Sequence, residues 1–147
     1  MIRTFIALEL PNDLKSELDK VQNRFAAQSP KGTNWVSGIN RHLTLLFIGD
    51  LQAQQIKDVE SVLESELEDF PAFAFKPQGL ELFPAREPHL LWLKLSAPNE
   101  DIFKLNRKLI KDLGRLNIEA DRKALKLHIT LARLKARFTN ETERELL

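Results

Sequence analysis

The sequence predicts an α+β fold with two pseudo-symmetric lobes, each an antiparallel sheet with outer helices, and a central cleft between them. Three observations favour this fold. The apolar residues switch between strand and helix periodicity along the chain. Two similar stretches, residues 8–13 and 93–100, are each followed by a helical pattern and then by a strand that reads His-x-Thr-Leu. Pro11 precedes His42 by 31 residues, and Pro98 precedes His128 by 30, so this weak internal repeat predicts two similar halves.

Six stretches have the composition of strands, because apolar and β-branched residues dominate them and turn-forming residues flank them. They are residues 3–10, 35–36, 42–48, 73–83, 89–95 and 127–134. Pro11 ends the first strand, and Gly49 ends the third, with Asp50 as the expected N-cap of the following helix. The long fourth stretch is expected to contain a bend.

Three further stretches carry apolar residues at helical spacing, which predicts amphipathic helices between the strands. Their apolar faces comprise Leu14, Leu18, Val21 and Phe25; Ile56, Val59, Leu63 and Leu67; and Ile102, Leu105, Leu109, Leu113 and Leu116. Residues 29–32, Ser-Pro-Lys-Gly, break the first helix. The tail, residues 140–147, has the pattern of a short helix. We expect residues 1–147 to form one two-lobed domain.

Composition excludes several functional classes. The chain has 147 residues and no cysteine, which excludes disulfides, thiol nucleophiles and Cys-ligated zinc. No apolar run approaches the roughly 20 residues that span a bilayer. The N-terminal residues lack the features of a signal peptide. We therefore expect a cytoplasmic protein that does not enter a membrane. No sequence feature indicates an obligatory protein partner.

Charge is unevenly distributed although the net charge is only +1. Residues 104–137 contain eleven Lys and Arg against three Asp and Glu, whereas residues 51–70 contain one Lys against six acids. Such segregation can steer an anionic ligand to one side of a protein. Charge alone favours the simpler interpretation, in which both stretches are solvated helix faces.

Two of the three histidines begin the His-x-Thr-Leu motifs. Successive side chains of a strand point to opposite faces. His42 and Thr44 should therefore share one face, and His128 and Thr130 should share the matching face of the other strand. Each motif then offers one titratable group and one hydroxyl to a common surface. The third histidine, His89, has no threonine two positions later, and we interpret it as a strand-edge residue.

Two such surfaces suit phosphoryl transfer without a metal or any other cofactor. Imidazole has an unperturbed pKa of about 6.5, so one ring can accept a proton while the other donates one. Threonine hydroxyls can bind non-bridging phosphate oxygens. A single His-x-Thr motif is usually structural, but two copies at matching points of a repeat favour catalysis. Zinc ligation by His42 and His128 is disfavoured, since no acidic residue accompanies them at metal-binding spacing.

Other side chains are weaker candidates for substrate binding. Arg133 could neutralise a phosphate, but an odd number of positions separates it from His128, so it reaches that face only if the strand bulges or ends. Arg41 has the same parity problem beside His42. Phe5 and Trp35 could stack on a base, although core packing is the favoured interpretation.

These stretches resemble the two-histidine phosphoesterase superfamily, and within it the RNA 2′,3′-cyclic phosphodiesterase branch, also called 2′-5′ RNA ligase. The matching stretches occur in the family's order at residues 3–11, 35–50, 83–93 and 127–133. The resemblance implies a bilobal fold and hydrolysis of RNA-terminal 2′,3′-cyclic phosphate to a 2′-phosphate. It also implies reversible 2′-5′ ligation of RNA ends in some members.

The resemblance also implies roles for individual residues. His42 matches the proton donor and His128 the proton acceptor, while Thr44 and Thr130 match phosphate-contacting hydroxyls. Arg133 matches an arginine near the phosphate, despite the parity objection. Family members usually continue after the second motif with a strand that completes one lobe. Here only 14 residues follow Arg133, so the lobe either lacks this strand or closes differently.

Two alternative functions remain open at this point. A relative that acts on another cyclic nucleotide or 2′-5′ phosphodiester would use the same chemistry with a different base pocket. A module that binds RNA ends without turnover is the other alternative. Intact histidines and threonines in both motifs argue against it, because binding alone does not need two proton-transfer groups.

Overall fold

A computed structural model describes residues 1–72 and 74–147, and in these residues the chain forms six strands and four α-helices. In chain order they are β1 (Ile2–Leu8), α1 (Asn12–Phe25), β2 (Asn34–Trp35), β3 (Leu43–Leu51), α2 (Ala53–Leu67), β4 (Lys76–Phe83), β5 (Leu90–Ser96), α3 (Asp101–Arg115), β6 (His128–Arg133) and α4 (Asn140–Leu146). The predicted α+β class is confirmed. One position of the predicted fourth strand, Phe73, lies outside the described residues.

The start of α2 differs from the sequence prediction. Asp50 does not cap this helix, because β3 continues through Gly49 to Leu51. Gly49 has a φ of 112°, a left-handed conformation that glycine adopts without a steric penalty. The N-cap is Gln52, whose backbone N–H donates to Oε1 of Gln55 at 2.9 Å in a capping box. The expectation for Asp50 was therefore wrong by two residues.

The chain forms two compact units whose segments alternate along the sequence. The first unit comprises residues 1–7, 44–72, 74–76 and 97–126, and the second comprises residues 8–43, 77–96 and 127–147. The helix α1 belongs to the second unit although β1 lies in the first, and α3 belongs to the first although β5 lies in the second. The internal repeat therefore does not mark the boundary between the units.

In the first unit, β1 pairs with β3, and α2 packs against α3. The apolar face of α3 is buried at three leucines: Leu105, Leu109 and Leu113. Burial of each contributes roughly 1.5–3 kcal/mol. From the same helix, the buried Asn106 donates from Nδ2 to the carbonyl oxygen of Leu45 at 2.8 Å. The backbone N–H of Asp121 donates to the carbonyl oxygen of Phe47 at 2.9 Å. These two hydrogen bonds fix the strand that carries the first motif.

In the second unit, four strands form one sheet in the order β2-β6-β5-β4. The strand β6 is central, with antiparallel neighbours β2 and β5 on its two sides. The short helix α4 starts at an N-cap, Thr139, whose side chain accepts from the backbone N–H of Thr142. Arg137 binds both carboxylate oxygens of Glu143, at 2.9 and 3.0 Å, and this contact raises the pKa of Arg137.

Candidate active site

The first motif lies at the start of β3. His42 immediately precedes the strand, and both His42 and Thr44 are half-buried. Leu43 and Leu45 are buried at 2% and 3% exposure, so the predicted alternation is present from Leu43 to Leu45. The apolar side chains hold the strand in the core, and the hydroxyl lies on the more accessible side.

Arg41 anchors the backbone directly before His42. Its side chain is buried and donates from one guanidinium nitrogen to Oδ1 of Asp19 at 2.6 Å. The other terminal nitrogen donates to Oε1 of Gln22. Both acceptors lie on α1, so Arg41 contacts that helix. This contact ties the residue before His42 to a rigid element, which limits the movement of the histidine's backbone.

The second motif occupies the first positions of β6. His128 and Thr130 are half-buried, whereas Ile129 and Leu131 have at most 1% exposure. The two motifs therefore share one pattern, with a threonine on the accessible face and the apolar side chains in the core. This pattern is the local consequence of period two in a strand with one buried face.

A bulge in β6 changes the face of the residues that follow it. In the register with β5, Ala132 pairs with Leu91 and Thr130 pairs with Trp92, which leaves Leu131 without a partner in β5. Leu131 and Ala132 are consecutive buried residues, and Arg133 is exposed. The extra residue reverses the parity of the strand. Arg133 thus lies on the same face as Thr130. The bulge that Arg133 needs in order to reach this face is therefore present.

An aromatic stack also lies on this face. It was not predicted from the sequence. The ring centroids of Trp92 and His128 are 4.1 Å apart with an interplanar angle of 36°. On the other side, Phe83 stacks on Trp92 at 4.3 Å and 20°. The stack spans β4, β5 and β6. It depends on the register of distant strands, which a single sequence does not reveal, although Trp92 lies within a stretch matched by the family resemblance.

The other aromatic and histidine candidates occupy different places. Phe5 lies in β1 of the first unit and is 43% exposed. Trp35 pairs with the fully buried Ala132, on the face opposite Arg133, and its Nε1–H donates to Oγ of Ser29 at 2.8 Å. The structure therefore favours the packing interpretation of Trp35. His89 lies immediately before β5, in line with a strand-edge residue.

The predicted site residues are distributed over both units. The second unit contains four of them: His42, His128, Thr130 and Arg133. Thr44 and Phe5 belong to the first unit. Within residues 1–72 and 74–147, no group of three or more His, Asp or Glu side chains is placed to hold a metal ion. In the same residues, no helix combines the length and the apolar character needed to cross a membrane.

Comparison with known proteins identifies the family. The family model of LigT-like phosphoesterases matches residues 8–92. The RNA 2′,3′-cyclic phosphodiesterase of Thermotoga maritima is 29% identical over 135 residues, which cover 91% of this chain and 71% of that protein. The protein of the same name from Aquifex aeolicus is 35% identical over 120 residues, which cover 77% of this chain and 61% of that protein. The crystal structure of TT0787 of Thermus thermophilus superposes on this chain with a TM-score of 0.78 at 27% identity. The match covers 92% of this chain and 76% of that one. The chain belongs to the LigT-like phosphoesterase family.

Proposed function

We propose that this chain hydrolyses RNA-terminal 2′,3′-cyclic phosphates to 2′-phosphates by acid–base catalysis between His42 and His128. The observation that carries the proposal is the pair of His-x-Thr motifs with matching alternation of faces, in a chain that belongs to a phosphoesterase family. The names of the relatives from T. maritima and A. aeolicus support the choice of substrate. The cytoplasmic location expected from the cysteine-free sequence is part of this proposal.

The proposed reaction requires two proton transfers. His128 accepts a proton from water as the water oxygen attacks phosphorus, and the bond between phosphorus and the 3′ oxygen breaks. His42 donates a proton to that leaving oxygen, which becomes the 3′ hydroxyl while the phosphate stays on the 2′ oxygen. Each histidine ends in the protonation state in which the other began. Proton exchange with solvent then restores the starting state.

The remaining site residues stabilise negative charge in this proposal. The hydroxyls of Thr44 and Thr130 donate to the non-bridging oxygens, which gain charge in the transition state. Arg133 neutralises the phosphate from the face that it shares with Thr130. Phe5, with its exposed ring, is proposed to stack on the terminal base. When the 5′ hydroxyl of a second RNA replaces water, the same proton transfers join the two ends through a 2′-5′ linkage.

One incubation tests the proposal directly. A short RNA that ends in a 2′,3′-cyclic phosphate is incubated with the protein, and the products are separated by chromatography. We expect conversion to a linear monophosphate, unchanged by EDTA because no step uses a metal. The same RNA with a 3′-monophosphate serves as the control and should not react. Binding without turnover would contradict the proposal and favour an RNA-end-binding module, while loss of activity in EDTA would contradict the metal-independent mechanism.

A further inference from the structure

We propose that Trp92 is a positioning residue that holds the imidazole of His128 in the orientation required for proton transfer. The inference rests on the function proposed above and adds a residue that acts through a catalytic one. It starts from the strand register. Because Trp92 pairs with Thr130, its side chain stands on the same face of the sheet as Thr130 and His128.

The indole is held on three sides. One face contacts the imidazole of His128, with centroids 4.1 Å apart, and the other face contacts the ring of Phe83 at 4.3 Å. Its edge is fixed as well, because Nε1–H donates to Oε1 of Glu81 at 3.2 Å. Glu81 in turn lies 4.0 Å from Nζ of Lys94. The indole therefore cannot rotate without breaking a hydrogen bond and a ring stack.

The contact with His128 constrains the imidazole in a particular way. The indole N–H is committed to Glu81, so Trp92 approaches His128 through ring atoms and not through a hydrogen bond to either imidazole nitrogen. A covered face restricts rotation of the imidazole about its side-chain bonds and leaves the proton-transfer atoms at the ring edge. Misplacement of a reacting group by about 1 Å can lower a rate by about 10²-fold.

The location of Trp92 distinguishes it from an ordinary core residue. The core side of β5 is formed by Leu91 and Leu93, which point to the opposite face of the sheet. Trp92 has only 5% exposure on the side that also carries Lys94 and Thr130. The ring stack with His128 and Phe83 explains why this large indole is buried among polar side chains, beside a candidate catalytic histidine.

Kinetic measurements on paired variants test the proposal. Trp92→Leu removes the stack. Glu81→Ala releases the indole without opening a cavity in the core, so it tests the proposal even if the Trp92→Leu protein does not fold. With cyclic-phosphate RNA, both should lower kcat by about 10- to 100-fold and change KM much less. Glu81→Gln keeps an oxygen that accepts from the indole N–H and should retain most of kcat. Trp35→Phe is the matched control, since Trp35 lies on the opposite face, and its kcat should stay at the wild-type value.

A second readout does not depend on turnover. In wild-type protein, the NMR signals of the His128 ring protons should lie upfield because of the ring current of the indole, and Trp92→Leu should return them to ordinary positions. His128→Gln assigns these signals. If the signals are not shifted, or if kcat of both Trp92→Leu and Glu81→Ala equals that of wild type, the positioning role is refuted. If instead the wild-type protein does not turn over the cyclic phosphate, the proposed function itself has failed.

Discussion

Arg133 and His128 lie on the same face of the second unit's sheet, although an odd number of positions separates them in one strand. The cause is the single unpaired residue Leu131, which shifts the register between β5 and β6. A guanidinium and an imidazole thereby reach one surface from opposite ends of a six-residue strand. The bulge thus places the positive charge where the substrate phosphate is proposed to bind.

Replacement of Arg133 should therefore impair catalysis. We expect Arg133→Gln to lower kcat by about 10²-fold, because one charged donor to the phosphate is lost. Arg133→Lys should recover only part of this loss, since an ammonium group cannot reproduce the planar fork. The measurement is steady-state turnover of cyclic-phosphate RNA. The control is Arg137→Gln, which removes an arginine bound to Glu143 and should leave kcat unchanged. Equal kcat values for the two glutamine variants would exclude a phosphate-binding role for Arg133.

The two histidines should be essential for turnover but not for folding. His42→Ala and His128→Ala should each lower kcat by ~10²–10⁴, which corresponds to about 3–5 kcal/mol of activation barrier. Both histidines are half-buried, whereas Leu43 and Ile129 are fully buried. His128→Ala removes one ring contact with Trp92, and His42→Ala removes no side chain of the apolar core. Circular dichroism and thermal melting check that the variants fold. Near-wild-type turnover by either folded variant would contradict the acid–base assignment.

The local pattern of the site could be predicted from the sequence, because it depends only on neighbours in one strand. Period two dictates that Thr44 lies opposite Leu43, and that His128 lies opposite Ile129, whatever the strands pair with. The same is true of most of the apolar stripe of α3, where Ile102, Leu105, Leu109 and Leu113 are buried. The expectation for Leu116 was wrong, because the helix ends at Arg115 and Leu116 is 46% exposed.

Features that depend on pairing between distant segments could not be predicted. The bulge at Leu131 and the stack of Trp92 on His128 both follow from the register of β5 and β6, which are separated by α3. The alternation of apolar residues fixes which face of each strand is buried. The position of a bulge and the partner of each residue depend also on the other strand. The assignment of α1 and α3 to units other than those of their preceding strands is likewise a property of tertiary packing.

The buried arginine beside the first motif should contribute to stability. Asp19→Ala removes the carboxylate that Arg41 binds at 2.6 Å and leaves a guanidinium in a side chain that is 1% exposed. We expect the free energy of unfolding to fall by about 1–3 kcal/mol, the usual penalty for a buried donor that loses its partner. Urea denaturation with an unchanged m-value measures it. Glu17→Ala on the same helix is the control, since its exposed pair with Lys20 should contribute less than about 1 kcal/mol. Equal losses for the two variants would contradict the anchoring role of Arg41.

The basic stretch at residues 104–137 should make RNA binding sensitive to salt. If its exposed side chains contact the phosphate backbone, each neutralised phosphate releases counterion, and affinity falls as salt rises. Binding of the unreactive His42→Ala protein to cyclic-phosphate RNA is measured at low and moderate salt. Replacement of two exposed cations of α3, Arg107→Gln with Lys111→Gln, should reduce the salt slope by about 1–2. An unchanged salt slope in this double variant would identify the exposed cations of α3 as a solvated surface.

The identity of the product tests which histidine has which role. The two motifs are alike in sequence, so proton transfer alone could release either the 2′ or the 3′ oxygen. The direction of ring opening depends on how the ribose lies relative to His42 and His128. If His42 protonates the 3′ oxygen, as the proposed mechanism requires, the phosphate remains on the 2′ oxygen. Phosphorus NMR of the product separates 2′- from 3′-monophosphates, with authentic samples of both as references, and we expect the 2′-phosphate. A product that is mainly the 3′-phosphate would mean that the ribose binds in the reverse sense, so that His128 acts as the donor and His42 as the acceptor.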